Sequence, residues 1–409
     1  RNKRQIPKKV FSENETGKSI KVISALTDNE EGYLVAQEIA QTQLRDHYQN
    51  RDYAILYRTN AQSRIFEEAL RKRNIPYKIY GGLSFYQRKE IKDLLAYFRI
   101  IINSRDNEAL KRIINYPARG IGQTTLAKLE KAALDEEVAL WNMISRLPEN
   151  NPMNLNKGTV GKIIRFRELI GAFTAFAKEN DAIDSARYIA SQTGILKELH
   201  HDKSPEGLSR QENIQELLNA IQEFSVNAME EDRPGKLENY LEDVALLTDQ
   251  DTEKEEDRDK VTLMTVHSAK GLEFKNVFIV GLEDNLFPSA PATEKRSPEA
   301  IEEERRLFYV ALTRARENVW FSHASQRYKW GKLDYCSPSR FLTEMDEKYL
   351  EGNEFRQKSA PAERHTPPAA RTNAFFRRTP GAEQNFRKKL TRLQENQQHE
   401  EPFDGVSPE

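Results

Sequence analysis

The chain contains 409 residues, of which 38% are hydrophobic and 31% are charged, and its formal net charge is −1. Its longest apolar runs, such as VFIVGL at 277–282, are far shorter than the roughly 20 residues that cross a bilayer, so no membrane association is expected. A single cysteine, Cys336, excludes an internal disulfide framework and a cysteine-rich zinc site, so we expect a cytoplasmic protein without a metal site of its own.

Strands and helices alternate in the first part of the chain. IKVISALTD, YAILYRT (53–59) and IPYKIYGG predict strands, and EEGYLVAQEIAQTQLRDHY and SRIFEEALRKRN predict the helices between them. This alternation is typical of a parallel α/β sheet. From about Phe85 to about Leu247, apolar residues recur at three- and four-residue spacing, which predicts helices throughout. Strand patterns return at VTLMTV and VFIVGL.

The simplest topology is therefore one α/β domain interrupted by an inserted all-helical domain. The two parts of the α/β domain are residues 1–84 and 261–350, and the helical insertion is 85–248. An acidic stretch at 249–260 is interpreted as a solvated linker. Residues 351–409, rich in Pro, Gln, Asn, Arg and Glu, are predicted to be disordered apart from a short helix around FRKKLTRLQ.

VTLMTVHSAKGLEFKNVFIVGL (261–282) is a buried strand, a polar loop containing a glycine, and a second buried strand. Ligands bind at the carboxyl ends of the strands in α/β sheets, so we expect one binding edge formed by Thr265, His267, Ser268, Lys270 and Glu273. Hydroxyls and Lys270 suit phosphate, whereas Glu273 suits sugar hydroxyls. An ordinary polar turn is the alternative, and the residues alone favour neither.

AIEEERRLFYVALTRARENVWF (300–321) predicts a helix with acids in its first turns and Arg314 and Arg316 in its last, followed by a strand. This order of charges complements the helix dipole whatever the function. The functional alternative is an arginine that faces a phosphate across a domain interface. Such an arginine finger contributes about 10³–10⁵ in rate in phosphoryl-transfer enzymes.

NYPARGIGQTTLAKL (115–129) resembles a helix–hairpin–helix, whose turn presents the N-terminus of the next helix to a phosphate. Because the net charge is near zero, contact with DNA must come from local basic patches, and Lys111, Arg112 and Lys128 lie nearby. The segment predicts duplex binding that is independent of sequence, with a plain helical hairpin as the alternative. The predicted duplex contacts are Arg119, Gly120, Ile121, Gly122 and Thr124.

Taken together, HSAKGLEF and EEERRLFYVALTRA resemble motifs V and VI of the superfamily 1 DNA helicases of the UvrD, PcrA and Rep type. YAILYRTNAQSR (53–64) resembles motif IV, GGLSFYQRKEIKDLLAYFR the segment after it, and PSRFL (338–342) the closing signature of the family. The resemblance covers about residues 20 to 345. It implies a RecA-like motor domain in the C-terminal part of an ATP-dependent helicase. Such an enzyme moves 3′→5′ on single-stranded DNA and unwinds duplex DNA in repair or replication restart.

The resemblance also implies roles for individual residues. Arg314 would be the catalytic arginine near the γ-phosphate, and Gly271 and Glu273 would contact ATP, with Glu273 on the sugar. Trp330, in SQRYKWGK, would stack on a base, or else be a partly buried anchor. Single-stranded DNA would be held by Arg58, Asn60, Arg64, Thr265, His267, Ser268 and Trp330.

A phosphate-binding loop of the form G-x-x-x-x-G-K-[ST] does not occur, since Gly17-Lys18-Ser19 lacks the preceding glycine. The chain opens on Arg1 without a secretory signal, and we interpret it as a fragment. The cofactors ATP and Mg²⁺ would therefore need a missing N-terminal RecA-like domain, and the fragment alone is predicted to be inactive. Other expected partners are single-stranded DNA, its junctions with duplex, and repair or replication proteins.

Two alternatives remain. A helicase subunit of the RecB or AddA type shares these motifs, although the tail shows no cluster of carboxylates with a lysine that would indicate a nuclease. A non-catalytic DNA-binding module would leave the arginine of ALTRA without a purpose. The sequence does not separate a UvrD-like from a PcrA-like assignment.

Overall fold

Strands rich in Val, Ile, Leu and Phe form a single sheet in the computed structural model, which describes residues 17–249, 259–294, 298–329 and 332–351. Seven of its strands pair in the order β3-β4-β2-β5-β6-β1-β8, every neighbouring pair parallel, and β7 pairs antiparallel with β6. The predicted α/β class is confirmed. The strands are β1 Ile20–Thr27, β2 Tyr53–Tyr57, β3 Tyr77–Ile79, β4 Val261–Thr265, β5 Phe274–Ile279, β6 Ala315–Lys329, β7 Lys332–Tyr335 and β8 Leu350–Glu351.

Nine helices lie between β3 and β4, and the described residues there contain no strand, in agreement with the helical periodicity of that stretch. The boundaries of an inserted domain stay a prediction. The helices are α1 Asp28–Asp46, α2 Ser63–Lys72, α3 Lys89–Ile102, α4 Asn107–Ile113, α5 Gln123–Asp135, α6 Leu140–Ser145, α7 Lys157–Glu179, α8 Ala182–Gln192, α9 Ile195–His201, α10 Pro205–Glu230, α11 Leu237–Asp249, α12 Ala290–Glu294, α13 Pro298–Leu312 and α14 Arg340–Thr343.

The two faces of the sheet carry separate hydrophobic cores. Successive side chains of a strand point to opposite faces, so Ile55 of β2 packs with α1 and α2, whereas its neighbour Leu56 packs on the side of α13. All five residues of β2 are fully buried, as expected for a central strand covered on both faces. On the first face the rings of Phe278 and Trp320 stack 4.7 Å apart. The helices α3 to α11 enclose a third core of their own.

Helix α13 ends about one turn earlier than its charge pattern predicts. It stops at Leu312, Arg314 lies in the following turn, and Arg316 is already in β6. The predicted placement of both arginines in the last turn of the helix is therefore wrong. The physical reason is strand pairing, because the Phe274 amide donates to the Arg314 carbonyl at 2.9 Å and Phe274 pairs with Ala315.

A buried arginine joins α2 to α10. Arg64 is 2% exposed, and its guanidinium donates to Glu216 at 2.7 Å and to Glu68 and Glu223 at 3.3 Å. Removing a charge from water is costly unless it is paired and hydrogen-bonded. The three carboxylates satisfy that condition and attach the helical segment to the second helix of the α/β unit.

A second arginine, Arg88, extends this junction. Its guanidinium donates to the Asn60 carbonyl at 3.0 Å and to the Ser63 hydroxyl at 2.6 Å, both next to α2. The same group donates to the Asn213 side chain of α10 at 2.8 Å. Polar contacts, rather than apolar packing alone, therefore determine where α10 lies against α2.

The junction predicts a pH-dependent stability. Burial raises the pKa of Glu223 to about 7, against the lowering effect of Arg64, whereas an unfolded glutamate has a pKa of about 4.3. Between these values the folded chain keeps a proton that the unfolded chain has lost, so the free energy of unfolding falls as the pH rises. Glu223→Gln should remove this slope of up to about 1.4 kcal/mol per pH unit.

The measurement is denaturant unfolding of this chain at several pH values from 4.5 to 7.5. Glu230→Gln, an exposed position on the same helix, is the matched control and should leave the slope as it is in the wild type. An unchanged slope in Glu223→Gln would show that Glu223 is ionised throughout this range.

Candidate nucleotide and nucleic-acid site

The carboxyl ends of β2 and β4 lie side by side, because the two strands pair in parallel with Tyr57 opposite Thr265. The residues that follow each strand therefore meet at one edge of the sheet, which we call the carboxyl edge. A turn at the end of β3 lies there too, since a methyl group on Gly81 would be 3.9 Å from the Ser268 hydroxyl. The residues at this edge that are predicted to bind single-stranded DNA are Arg58, Asn60, Thr265, His267 and Ser268.

A hydroxyl pair shapes the turn after β4. Thr265 Oγ1 lies 3.0 Å from Ser268 Oγ and accepts the Ser268 amide at 3.2 Å. His267, between them, is exposed, as is Asn60 across the edge. Partial desolvation by the residues around the ring and the positive charge of Arg58 lower the pKa of His267, so its ring is neutral near pH 7 and offers one donor and one acceptor. Apart from Arg58, the predicted binding residues at this edge present neutral hydrogen-bonding groups.

Arg58 is held by a residue that the sequence did not single out. Its Nε and Nη2 donate to the Glu304 carboxylate of α13 at 3.0 and 2.7 Å, and the Arg58 side chain is 20% exposed. Glu304 also accepts the Ser289 hydroxyl at 2.8 Å. Burial opposes ionisation, but the hydrogen bonds and charge of Arg58 prevail and lower the pKa of Glu304. Nothing in the run of three glutamates distinguishes Glu304 before the fold is known.

At the opposite end of the strands, which we call the amino edge, the two strongest sequence motifs meet. Glu273 precedes β5, and its carboxylate accepts Arg316 Nε of β6 at 3.0 Å, with both side chains at least half exposed. Arg314 donates through Nη1 to the Leu272 carbonyl and through Nε to the Val310 carbonyl, each at 3.0 Å. Two arginines and a carboxylate are thus brought together from segments about 40 residues apart.

The expectation that Glu273 shares a binding edge with Thr265, His267 and Ser268 is wrong. Thr265 pairs at the carboxyl end of β2, whereas Asn276, just after Glu273, pairs with Tyr53 at its amino end. Because β4 and β5 are both parallel to β2, the chain between them must run back from one edge to the other. Gly271, in that connection, has a φ of 92°, which favours glycine.

Arg64, predicted to bind single-stranded DNA, is enclosed in this structure by Glu68, Glu216 and Glu223 and is 2% exposed. Its guanidinium is paired within the protein, and its contact with DNA stays a prediction. The turn that follows β2 places Arg58 at the edge and Arg64 inside the junction with α10. Trp330, the predicted base-stacking residue, lies outside the described residues.

A family model described as the UvrD-like helicase C-terminal domain matches residues 1–326. The chain belongs to this family. It is 39% identical over 355 residues to the ATP-dependent DNA helicase PcrA of Staphylococcus aureus and 38% identical over 355 residues to that of Staphylococcus epidermidis. Each alignment covers 86% of this chain and 47% of the relative, so the chain spans about half the length of the curated relatives it matches.

In the helix–hairpin–helix of this UvrD-like chain, Arg119 contacts acceptors of the protein itself. The guanidinium donates to the Ile113 and Pro117 carbonyls at 3.1 Å each and to the Tyr97 hydroxyl at 2.7 Å. It also lies over the rings of Tyr97 and Phe166. These donors fix the backbone of the turn in this structure, and the duplex contact by Arg119 stays a prediction.

Ile121, another predicted duplex contact, also faces the interior of the protein. It is 2% exposed, and its amide donates to the Asn115 side chain at 3.0 Å. Gly122 and Thr124 are exposed at the start of α5, where the described residues provide no side-chain cap. Because the first amides of a helix have no partner within it, this end of α5 can accept an anion.

The basic residues around the hairpin are partly neutralised. Lys111 pairs with Glu108 and Glu130, and Arg112 pairs with Asp93. Lys128 and Lys131 are the exposed lysines of α5. The fold adds one lysine that lies 42 residues away in sequence: Lys162 Nζ donates to the Gly120 carbonyl at 3.2 Å. Sequence reasoning missed Lys162 because only packing of α7 brings it to the turn.

The part of the chain that the structure describes lacks two features. No helix there is long and apolar enough to cross a membrane. Within the same ranges, no group of three or more His, Cys, Asp or Glu side chains is arranged to hold a metal ion.

The two glycines of the hairpin should respond differently to substitution. Gly120 has a φ of 71°, and a Cβ there would approach Lys162 Nζ to 2.7 Å, whereas Gly122 has a φ of −77° and open space. We expect Gly120→Ala to lower the free energy of unfolding by about 1–2 kcal/mol, the cost of a left-handed non-glycine residue. Gly122→Ala should change it by less than about 0.5 kcal/mol.

Denaturant unfolding of the two variants beside the wild type tests this pair. Equal losses would show that the turn requires glycine at both positions.

Proposed function

We propose that this chain is the C-terminal motor portion of an ATP-dependent DNA helicase that moves 3′→5′ on single-stranded DNA and unwinds duplex DNA, in the cytoplasm, in repair or replication restart. The observation that supports this proposal is that two groups of polar residues lie at opposite edges of one sheet. Glu273, Arg314 and Arg316 lie at the amino edge, and the neutral polar set around His267 lies at the carboxyl edge. One edge suits a nucleotide and the other a DNA strand.

The amino edge fits part of an ATP site. Glu273 would accept a sugar hydroxyl, Gly271 would allow close approach of its backbone, and Arg314 would donate to the negative charge that develops on the transferred phosphoryl group. Two backbone carbonyls already orient the Arg314 guanidinium. The magnesium ligands and the phosphate-binding lysine would come from an N-terminal RecA-like domain, which we propose as the partner of this chain.

The carboxyl edge fits a single strand held without sequence preference. Thr265, Ser268 and Asn60 offer hydrogen bonds to phosphate and sugar oxygens, and contacts of that kind position a strand but do not select its bases. Arg58 supplies one cation. Trp330, outside the described residues, would add base stacking worth about 1–3 kcal/mol.

The duplex beside the single strand would contact the start of α5. Its free amides, Gly122, Thr124 and the neighbouring Lys162 provide the donors and the charge that phosphates require. Junctions of single-stranded and duplex DNA would therefore engage both parts of the chain. Proteins of repair or replication would recruit the complete enzyme.

Arg314→Ala tests the proposed function in the complete helicase. We expect the DNA-stimulated rate of ATP hydrolysis to fall by at least about 10³, with ATP binding retained, because a finger acts on charge that develops in the transition state. Arg306→Ala, an exposed arginine on α13, is the matched control and should keep its rate. The measurement is phosphate release with saturating single-stranded DNA.

Near-normal turnover by Arg314→Ala would reduce Arg314 to an arginine that caps α13. In the same assay this chain alone should release no phosphate. Turnover by the chain alone would place the nucleotide site differently.

Thr124→Glu tests the duplex contact. A carboxylate in the first turn of α5 suits the helix dipole, so the fold should be kept, but the added charge opposes a phosphate. We expect weaker binding to a tailed duplex, a slope of log affinity against log salt reduced by roughly one, and unchanged binding to a single strand. Ala127→Glu, exposed one turn further along, carries the same charge and should bind as the wild type does. Equal weakening by both variants would exclude a local contact.

A further inference from the structure

Helix α13 touches both edges of the sheet. In the middle of the helix, Glu304 holds Arg58 at the carboxyl edge through two hydrogen bonds of 3.0 and 2.7 Å. In its last turn, the Val310 carbonyl accepts Arg314 Nε at 3.0 Å at the amino edge. The rise along the helix from Glu304 to Leu312 is about 12 Å at 1.5 Å per residue. One helix thus connects the residue proposed to contact the strand with the residue proposed to act on ATP.

We propose that Glu304 is a positioning residue that transmits the binding of single-stranded DNA from Arg58, along α13, to Arg314. The inference rests on the proposed function. It names the residues through which bound DNA would stimulate ATP hydrolysis. Glu304 touches neither ligand and acts through the two arginines.

The contacts on each side of the Arg58–Glu304 pair favour transmission of a displacement from one residue to the other. The Gln62 side chain accepts the amides of Arg58 and Thr59 at 3.0 and 2.9 Å, which fixes the backbone of Arg58 to the start of α2. Its guanidinium is then shared with α13, because Nε and Nη2 both bind Glu304. Among the described residues Nη1 has no hydrogen-bond partner, so a phosphate oxygen can bind it without breaking the pair.

Helix α13 is closely packed between Glu304 and its C-terminus. Phe308, one turn after Glu304, stacks on Phe341 with ring centroids 5.2 Å apart and contacts Phe287 edge-on at 6.0 Å. Glu304 itself is 5% exposed and is held from a third direction by Ser289. Close packing transmits strain, so a displacement at Glu304 is carried to the turn that holds Arg314.

The test compares Glu304→Gln with Glu303→Gln in the complete helicase. Gln keeps the size of the side chain but loses the charge that Arg58 binds, and Glu303, exposed beside it, pairs with Arg306 and not with Arg58. ATP hydrolysis is measured without DNA and over a range of single-stranded DNA concentrations. The stimulation factor is the maximal rate with DNA divided by the rate without it.

Glu304→Gln should reduce the stimulation factor about tenfold, which corresponds to about 1.4 kcal/mol. The DNA concentration for half-maximal stimulation should change less than about threefold, because Arg58 keeps its charge for the phosphate. Arg58→Ala should also reduce the factor, and Glu304→Gln added to Arg58→Ala should reduce it no further, since both break one path. Glu303→Gln should behave as the wild type.

Three results would overturn the inference. The first is a stimulation factor of Glu304→Gln equal to that of Glu303→Gln. The second is that the effects of Glu304→Gln and Arg58→Ala multiply in the double variant. The third is that Glu304→Gln changes only the DNA concentration for half-maximal stimulation and leaves the stimulation factor unchanged. Failure of the proposed function itself looks different, because the wild-type enzyme would then show no stimulation by DNA.

Discussion

Parallel pairing of β4 and β5 with the central strand β2 is the constraint on which the candidate site depends. It requires the chain to return from the carboxyl edge to the amino edge within the short connection from Val266 to Glu273. One continuous motif therefore supplies groups to both edges. The same stretch of chain can therefore offer one ligand surface at each edge of the sheet. Two ligands bound there would not compete for the same space.

The second feature is the use of arginines as internal connectors. Arg64 and Arg88 attach α10 to α2, and Arg119 fixes the hairpin turn from within. Arg327 of β6 is held in the same way by Glu283 at 2.6 Å and by Glu31. A planar guanidinium with five donors can satisfy several acceptors at once, so it fills junctions where elements distant in sequence converge.

These connectors show why a count of basic residues overestimates the positive charge that this chain presents at its surface. Arg64 and Arg119 each lie within a segment whose sequence predicts nucleic-acid binding, and each is turned inward to acceptors of the protein. The groups left at the carboxyl edge and at the start of α5 are mainly neutral: hydroxyls, an amide, an imidazole and backbone amides.

Sequence alone determined the class of the fold and the elements with strong periodicity. The alternation before Phe85, the helical spacing up to Leu247 and the two buried strands around HSAKGLEF all depend on local patterns of apolar residues, and such patterns persist in the fold. The long signatures also determined the family. The sequence alone did not determine the features that depend on residues far apart along the chain.

Tertiary structure decided which ends of the strands meet, where α13 stops, and which acid each arginine binds. Helix α13 stops early because β6 must pair with β5 from Ala315 onward. Glu304 binds Arg58, which lies 246 residues away in sequence, although its neighbours Glu302 and Glu303 are also glutamates. The direction of a side chain around a helix, and the strand that arrives opposite it, select one acid of the three. That choice follows from packing, and a local pattern does not contain it.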